Sequence, residues 1–270
     1  MPTKDNMSSP QQSTPPWPAI DWLGTNTRIE LVVADRWYGA MKPTFDLVTA
    51  FLLLIVALPI IAVSWVIVRL TSAGPGFYVQ TRAGREGQPY SIIKLRSMAH
   101  NCEARSGIQW SQKGDLRITR IGKILRLTHL DELPQLINVL RGEMSLVGPR
   151  PERPEVIRAK GLGDQVPGYR HRLWVKPGVT GLAQVQLPAD SDLASVRHKV
   201  VYDLYYIVHQ SLWLDLRIIA ATVFKAAGMG PEWLRRIFFL PTRDQVAEAF
   251  LQSVAPTPEH AGSSAQLQPV

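Results

Sequence analysis

Cysteine is almost missing from this chain of 270 residues. Cys102 stands alone, so an internal disulfide and a cysteine-rich zinc module are both excluded, and a reducing compartment fits. The six histidines are scattered without zinc-ligand spacing. Neither GxxxxGK followed by Ser or Thr nor GxGxxG occurs, which removes the two commonest glycine-rich nucleotide cradles. No internal repeat is visible. Charge is absent from residues 47–68, LVTAFLLLIVALPIIAVSWVIV, a run of 22. Hydrophobic residues make up 46%, enough for a core, so a wholly disordered or collagen-like chain is excluded.

What is present is an excess of positive charge in one place. The formal net charge is +8 and the isoelectric point about 9.8, a balance that suits a phosphate-bearing or anionic partner. Residues 1–41 net −1, 42–68 net zero, 69–126 net +8 and 127–270 net +1. The basic block thus begins directly after the apolar run. As a helix, that run would be about 33 Å long, close to the hydrocarbon thickness of a bilayer. Buried helices of soluble proteins rarely run so far without a polar face, so membrane insertion is expected. The run starts too far from the N-terminus, and lacks an A-x-A-like site, for a cleavable signal. Pro59 in its middle predicts a kink. Either one span carries residues 1–41 across the bilayer, or a re-entrant hairpin bends at Leu58-Pro59. Basic residues after the run place 69–270 in the cytoplasm and hold it against anionic lipid.

Residues 1–18 and 254–270, rich in Pro, Ser and Gln, read as disordered tails. Residues 77–80 and 90–94 read as two short strands of a hairpin around a glycine-containing loop. From Ile118 onward the pattern turns helical: ITRIGKILRL, then LDELPQLINVL, then stretches near 191–209 and 212–227. PEWLRRIFFL, 231–240, has the composition of a membrane-surface helix, or equally of a helix packed on the domain.

The chemistry-bearing candidates are Asp131 and Glu132. Pro134 is tolerable only in a first helical turn, so Asp131 is a natural N-cap and Glu132 a complement to the helix dipole. The same geometry suits phosphoryl chemistry, because a helix N-terminus attracts phosphate and keeps a carboxylate ionised, and an ionised Asp can attack phosphorus. Arg117, Arg120, Lys123 and Arg126 precede the pair, and SLVGPRP, 145–151, presents Arg150 on a rigid Gly-Pro turn. Phosphoryl transfer needs such positioned cations. A metal, if used, would be Mg²⁺ on carboxylate and substrate phosphate oxygens.

Several long blocks are also similar to a known family. They are Lys42…Phe45-Asp46, GPGFYVQTRAGREGQPYSIIKLRSM (74–98), ITRIGKILRLTHLDELPQLINVLRGEMSLVGPRPE (118–152), VKPGVTGLAQV (175–185) and KVVYDLYYIVHQSLWLDLRI (199–218). In these the chain resembles the bacterial sugar transferases, monotopic polyprenyl-phosphate hexose-1-phosphate transferases, from about residue 42 to 229. The resemblance implies a phosphoglycosyl transferase that moves sugar 1-phosphate from a UDP-sugar to polyprenyl phosphate. UMP is released, a covalent aspartyl phosphosugar lies between the two steps, and lipid-linked glycan or exopolysaccharide assembly begins. It implies Asp131 as nucleophile, Glu132 as its helper, and both as Mg²⁺ ligands. Arg150, Arg126 and Lys94 would bind substrate phosphate, with Asp203 at the active-site rim.

The expected fold class is α+β, mainly helical. A kinked, re-entrant membrane helix precedes a small cytoplasmic catalytic domain with a short β-hairpin and interfacial amphipathic helices. The expected division is a polar segment over 1–41, the membrane helix over 42–70 with its break at Pro59, and the catalytic domain over 71–229. Interfacial helices over 230–253 and the tail over 254–270 complete it. Partners are the UDP-sugar, polyprenyl phosphate and membrane lipid, not nucleic acid; a homo-oligomer is left open. The location implied is the bacterial inner membrane.

Departures from the family pattern are Pro43 after Lys42, Leu58 in place of Ser before Pro59, His129 in place of Ser, and Gln186-Leu187-Pro188 after GLAQV. A Ser at 58 could bond back to a helix carbonyl and help set a break, so Leu58 weakens the re-entrant assignment. A nucleic-acid-binding membrane protein would interleave aromatics with the basic block, yet 79–126 holds only Tyr90 and Trp110. A silent scaffold of the same fold would lose the Asp-Glu pair, which is intact.

Overall fold

A computed structural model describes residues 28–29, 36–107, 110, 114–190 and 192–255. The tail expected over 1–18, and most of that over 254–270, lie outside them. Helices predominate, with three two-stranded sheets among the described residues.

The first helix runs Arg36–Thr71, starting six residues before the expected boundary and about 54 Å long. Pro43 and Pro59 lie inside it and the helix is not interrupted at either. Each proline costs one backbone bond, to the carbonyl of Gly39 or Ile55, and the remaining bonds carry the helix across both gaps. The helical hydrogen-bonding thus runs on through Leu58-Pro59, the expected site of a break.

One stripe of this helix is buried: Tyr38, Asp46, Ala50, Ala57, Ile61, Ser64 and Val68, at spacings of three, four, seven and eight that recur on one helical face. The stripe packs mainly on the helix Leu136–Leu140 and on the turn before it. Elsewhere Phe51, Leu52, Ile55, Val56, Leu58 and Val63 are more than half exposed. The helix is long and apolar enough to cross a membrane, and only 22% of its most apolar window is buried. A helix in the core of a soluble protein would be mostly covered.

Both ends of this helix are tied to the same domain. Near its start, the Lys42 ammonium sits 3.0 Å from Asp46 and 2.8 Å from Asp215, and the Tyr38 hydroxyl donates to Asp215 at 2.9 Å. Tyr206 donates to the other Asp215 oxygen at 2.8 Å. Near its end, Arg96 donates to the carbonyls of Ala73 (2.6 Å) and Ser72 (2.8 Å).

The expected hairpin forms, longer than its alternating core suggested. Phe77–Ala83 pairs antiparallel with Pro89–Leu95, in the register Tyr78 opposite Lys94. A second sheet, not foreseen, pairs Ser145–Val147 in parallel with Gly178–Thr180. A Cβ on Gly178 would collide with the Gly148 backbone, so glycine is required at the first position of the second strand.

Helices Arg120–Leu127, Leu193–His209 and Leu212–Ala226 fall where periodicity put them. Their starts have chemical reasons. Thr119 accepts from the Gly122 amide, Asp192 and Ser195 form a capping box, and Ser211 accepts from the Leu214 amide. LDELPQLINVL divides in two: a 3-10 turn over Leu130–Gln135, then the helix Leu136–Leu140. The position before the turn belongs to His129, in the left-handed region at φ 56°, and it makes no side-chain cap. Asp131 is therefore not the N-cap; it lies within the first turn and caps no amide. Arg28–Ile29 and Val254–Ala255 form a two-residue antiparallel pair.

Candidate active site

Four segments converge on the Asp131-Glu132 turn. The strand Pro89–Leu95 brings Lys94, the last turn of Arg120–Leu127 brings Arg126, and the segment after Ser145–Val147 brings Arg150. The strand is fixed by a residue that carries no motif. Asn138, fully buried, accepts from the Ile93 amide (3.1 Å) and donates to the Ser91 carbonyl (2.8 Å). Lys94 is thereby locked onto the helix that follows the acidic turn.

The two carboxylates are treated differently. Glu132 Oε1 takes the Lys94 ammonium at 2.7 Å and the Arg150 guanidinium at 2.9 Å. Burial works to raise the Glu132 carboxyl, but Arg150 and then Lys94 outweigh it and hold it well below the usual carboxylate range. Asp131 is 7% exposed and, among the described residues, has no hydrogen-bond or ion-pair partner. Burial, followed by the neighbouring Glu132 charge, pushes its carboxyl up, while Lys94, Arg126 and Arg150 restrain the rise. The result is one carboxylate locked as a structural anion and another that is largely buried, at the cleft, and unengaged. An unengaged carboxylate next to fixed cations is arranged for attack on an electrophile that carries negative charge.

Arg150 keeps 41% of its side chain exposed, and apart from its bond to Glu132 its N–H donors are uncommitted among the described residues. Its backbone is held from behind. Arg172 donates to the Arg150 carbonyl (3.1 Å) and pairs with Asp203 (2.8 Å), while Arg82 donates to the Pro151 carbonyl (3.1 Å). Asp203, expected at the rim, is 2% exposed and does not line the cleft. It anchors Arg172 one layer behind Arg150, and burial pushes its carboxyl up to about 6 against the pull of Arg172. Arg126 donates its Nε to Ser97 Oγ (2.8 Å) and faces the cleft. Arg117 is turned to Asp115, to which it makes short bonds of 2.6 to 3.1 Å.

These groups line an open cleft of about 2000 Å³. One wall is apolar and comes from the first helix and the hairpin: Leu53, Val56, Ile60, Phe77 and Val79. Another carries Lys94, Arg126, Asp131, Glu132 and Arg150, and a third carries Gln184, Asp190, Lys199 and Lys225. Sequence reading missed the third wall. Its lysines sit on long helices where a basic residue ordinarily means a solvated face, and only the packing of those helices turns them inward.

Asp131 and Glu132 satisfy the donor set for a divalent cation of the Mg²⁺ type, which uses one or two carboxylates and completes its shell with water and substrate phosphate. Among the described residues there is no group of three or more His, Cys, Asp or Glu placed to hold a metal.

Residues 37–228 match the family model described as bacterial sugar transferase. The chain is 39% identical over 204 residues to a UDP-N-acetylgalactosamine-undecaprenyl-phosphate N-acetylgalactosaminephosphotransferase of Aeromonas hydrophila, covering 76% of this chain and 47% of that protein. It is 42% identical over 184 residues to a UDP-glucose:undecaprenyl-phosphate glucose-1-phosphate transferase of Caulobacter vibrioides, covering 67% and 68%. It is 41% identical over 187 residues to the exopolysaccharide production protein PSS of Rhizobium leguminosarum bv. phaseoli, covering 68% and 93%. The chain thus spans about half the length of the Aeromonas relative and most of the Rhizobium one.

Proposed function

Because this chain belongs to the bacterial sugar transferase family, we propose that its cleft moves a sugar 1-phosphate group from a UDP-sugar to polyprenyl phosphate. The observation that carries the reading is the unengaged Asp131 carboxylate beside a Glu132 held by two cations, in a cleft with one ionic and one apolar wall. An Asp131 oxygen attacks the sugar-linked phosphorus. The bond to the UMP oxygen breaks, and UMP leaves with that electron pair. A polyprenyl phosphate oxygen then attacks the same phosphorus and displaces Asp131, which returns as a free carboxylate. The product is a diphosphate-linked lipid sugar.

Arg150 takes up charge on the equatorial phosphate oxygens through its free N–H groups, and Arg126 and Lys94 supply the surrounding positive field. Glu132 orients Arg150 and Lys94. Mg²⁺ would be held by Asp131 and Glu132 with substrate phosphate, where it neutralises phosphate charge. Arg150→Ala should lose about 2–4 kcal/mol of transition-state stabilisation, by analogy with loss of one oxyanion donor. A near-wild-type kcat/KM would make Arg150 structural.

The ionised form of Asp131 is the reactive one, so the first step should lose rate as pH falls through its carboxyl. Burial raises that carboxyl, so the acid limb should lie above the ordinary aspartate range. Lys94→Met removes a cation that restrains the rise, and should move the limb to higher pH in a stopped-flow burst of UMP. A limb that stays put would remove Lys94 from the electrostatics of Asp131.

Membrane association follows from the exposed apolar face of the first helix. A helix tied to one domain at both ends, by Lys42–Asp215 and by Arg96–Ser72, supports a reading in which its start and end lie on the same side of the bilayer. We therefore read the chain as monotopic on the cytoplasmic face of the bacterial inner membrane. Trp213, Trp233, Ile237 and Phe239, all exposed, would lie at the interface. A cysteine placed near residue 10, in the background Cys102→Ser, should react only with reagent on the cytoplasmic side. Labelling from outside would mean a span.

The deciding experiment measures UMP from the full chain in nanodiscs with Mg²⁺, polyprenyl phosphate and a panel of UDP-sugars. UMP from one or two donors identifies the sugar. No UMP from any, from folded protein, followed by no sugar-phosphate transfer in native membranes, leaves a scaffold.

A further inference from the structure

Lys225 ends the helix Leu212–Ala226, and its side chain turns into the cleft. It donates to the Gln184 carbonyl and, among the described residues, has no carboxylate partner. Lys199 lines the same wall, 7% exposed and 2.9 Å from Asp190, so its charge is already balanced. Lys225 is the unbalanced one. Burial, then Lys199 and Arg150, push its ammonium down from the ordinary lysine range, with Glu132 pulling weakly the other way. An ammonium kept half out of water, beside two further cations and without a counter-ion, is costly unless an anion arrives. The cation on this wall thus lacks the anion it is placed to meet.

We propose that Lys225, with Lys199 beside it, forms a second phosphate subsite in the cleft, separate from the Lys94–Glu132–Arg150 cluster and specific for a phosphate monoester. The identity of its occupant rests on the transferase reading; the subsite itself does not. Two displacements at one phosphorus, each in line with Asp131, place the departing UMP phosphate and the arriving polyprenyl phosphate at the same position in turn. Arg150 and Lys94 are drawn to Glu132, which leaves Lys225 to meet that second phosphate.

The test uses the full chain in nanodiscs. UMP binding is measured by calorimetry in the Asp131→Asn background, where no turnover interferes, and KM for polyprenyl phosphate is measured in the active chain. Lys225→Met should weaken UMP at least about 10-fold, raise the lipid KM at least about 10-fold, or both, and Lys225→Arg should restore most of the loss. Loss in the UMP arm alone assigns the subsite to the nucleotide, loss in the lipid arm alone to the acceptor, and loss in both to the shared position. Lys225→Met should also melt no lower than the parent without ligand, because it removes an unpaired, poorly solvated charge; a purely structural lysine would give a lower melting point. Lys225→Gln serves as a second neutral variant if the first fails to fold. Unchanged UMP affinity and unchanged lipid KM in a folded neutral variant overturn the proposal. If UMP binding depends on Lys225 while no UDP-sugar is turned over, the transferase reading fails and the subsite stands; if turnover is normal and both arms ignore Lys225, the reverse holds.

Discussion

Asp131→Asn is expected to lower sugar-phosphate transfer by at least about 10³-fold while the chain stays folded, since loss of a nucleophile is among the costliest single changes to a covalent mechanism. The structure makes this a clean substitution. Asp131 pairs with nothing among the described residues, so Asn breaks no ion pair and orphans no donor. It also removes one of two adjacent buried negative charges, which relieves repulsion with Glu132. The melting temperature should therefore hold or rise while activity vanishes. With radiolabelled UDP-sugar in the absence of lipid acceptor, the parent should retain label on the protein and the variant should not. Retained label in the variant would place the nucleophile elsewhere. Glu132→Gln should behave in the opposite sense, losing stability with activity, because Lys94 and Arg150 would both lose their counter-ion.

Lys42→Met should destabilise the chain by about 3–5 kcal/mol, the range for removing one partner of a buried ion pair. Lys42 lies between Asp46, 6% exposed, and Asp215, fully buried. Its removal leaves two carboxylates facing each other without a cation. Tyr38 and Tyr206 still donate to Asp215 and the Leu146 amide to Asp46, which softens the loss without replacing the charge. The double variant Lys42→Met with Asp215→Asn should recover part of the stability, since the most buried orphan carboxylate is gone. Denaturation in detergent, read by tryptophan fluorescence, tests both. A cost below about 1 kcal/mol for Lys42→Met would show that the pair does not hold the first helix to the domain.

Much of this molecule is written locally. The charge-free stretch specifies a helix that needs lipid, because its apolar residues leave no polar face to water. Thr119, Asp192 and Ser211 mark helix starts because their side chains take up amides that have no helical partner. The hairpin is legible from alternation and a glycine-bearing loop. The Asp-Glu pair, Arg126 and Arg150 stand out as residue types suited to phosphoryl chemistry in one basic neighbourhood, and the long family blocks point the same way.

Local sequence was insufficient wherever the outcome depends on residues far apart in the chain. Asp131 has the sequence context of a helix cap, but His129 enters the left-handed region and starts the turn earlier, so the carboxylate is released into the cleft. The family resemblance put Asp203 at the rim, but helix packing buries it against Arg172, behind Arg150.

Composition and periodicity, then, determined by themselves a long apolar helix, a mainly helical domain and a block of basic residues directly after the apolar run. They could do so because each depends on neighbours one to four residues apart. Tertiary structure alone decided which carboxylate is engaged and which is unengaged, that both ends of the anchor grip one domain, and that Lys225 faces the cleft without a counter-ion. Those outcomes are set by charges brought together over 18 to 173 residues of chain, from Arg150–Glu132 to Lys42–Asp215, and only the packing of the elements brings them within contact.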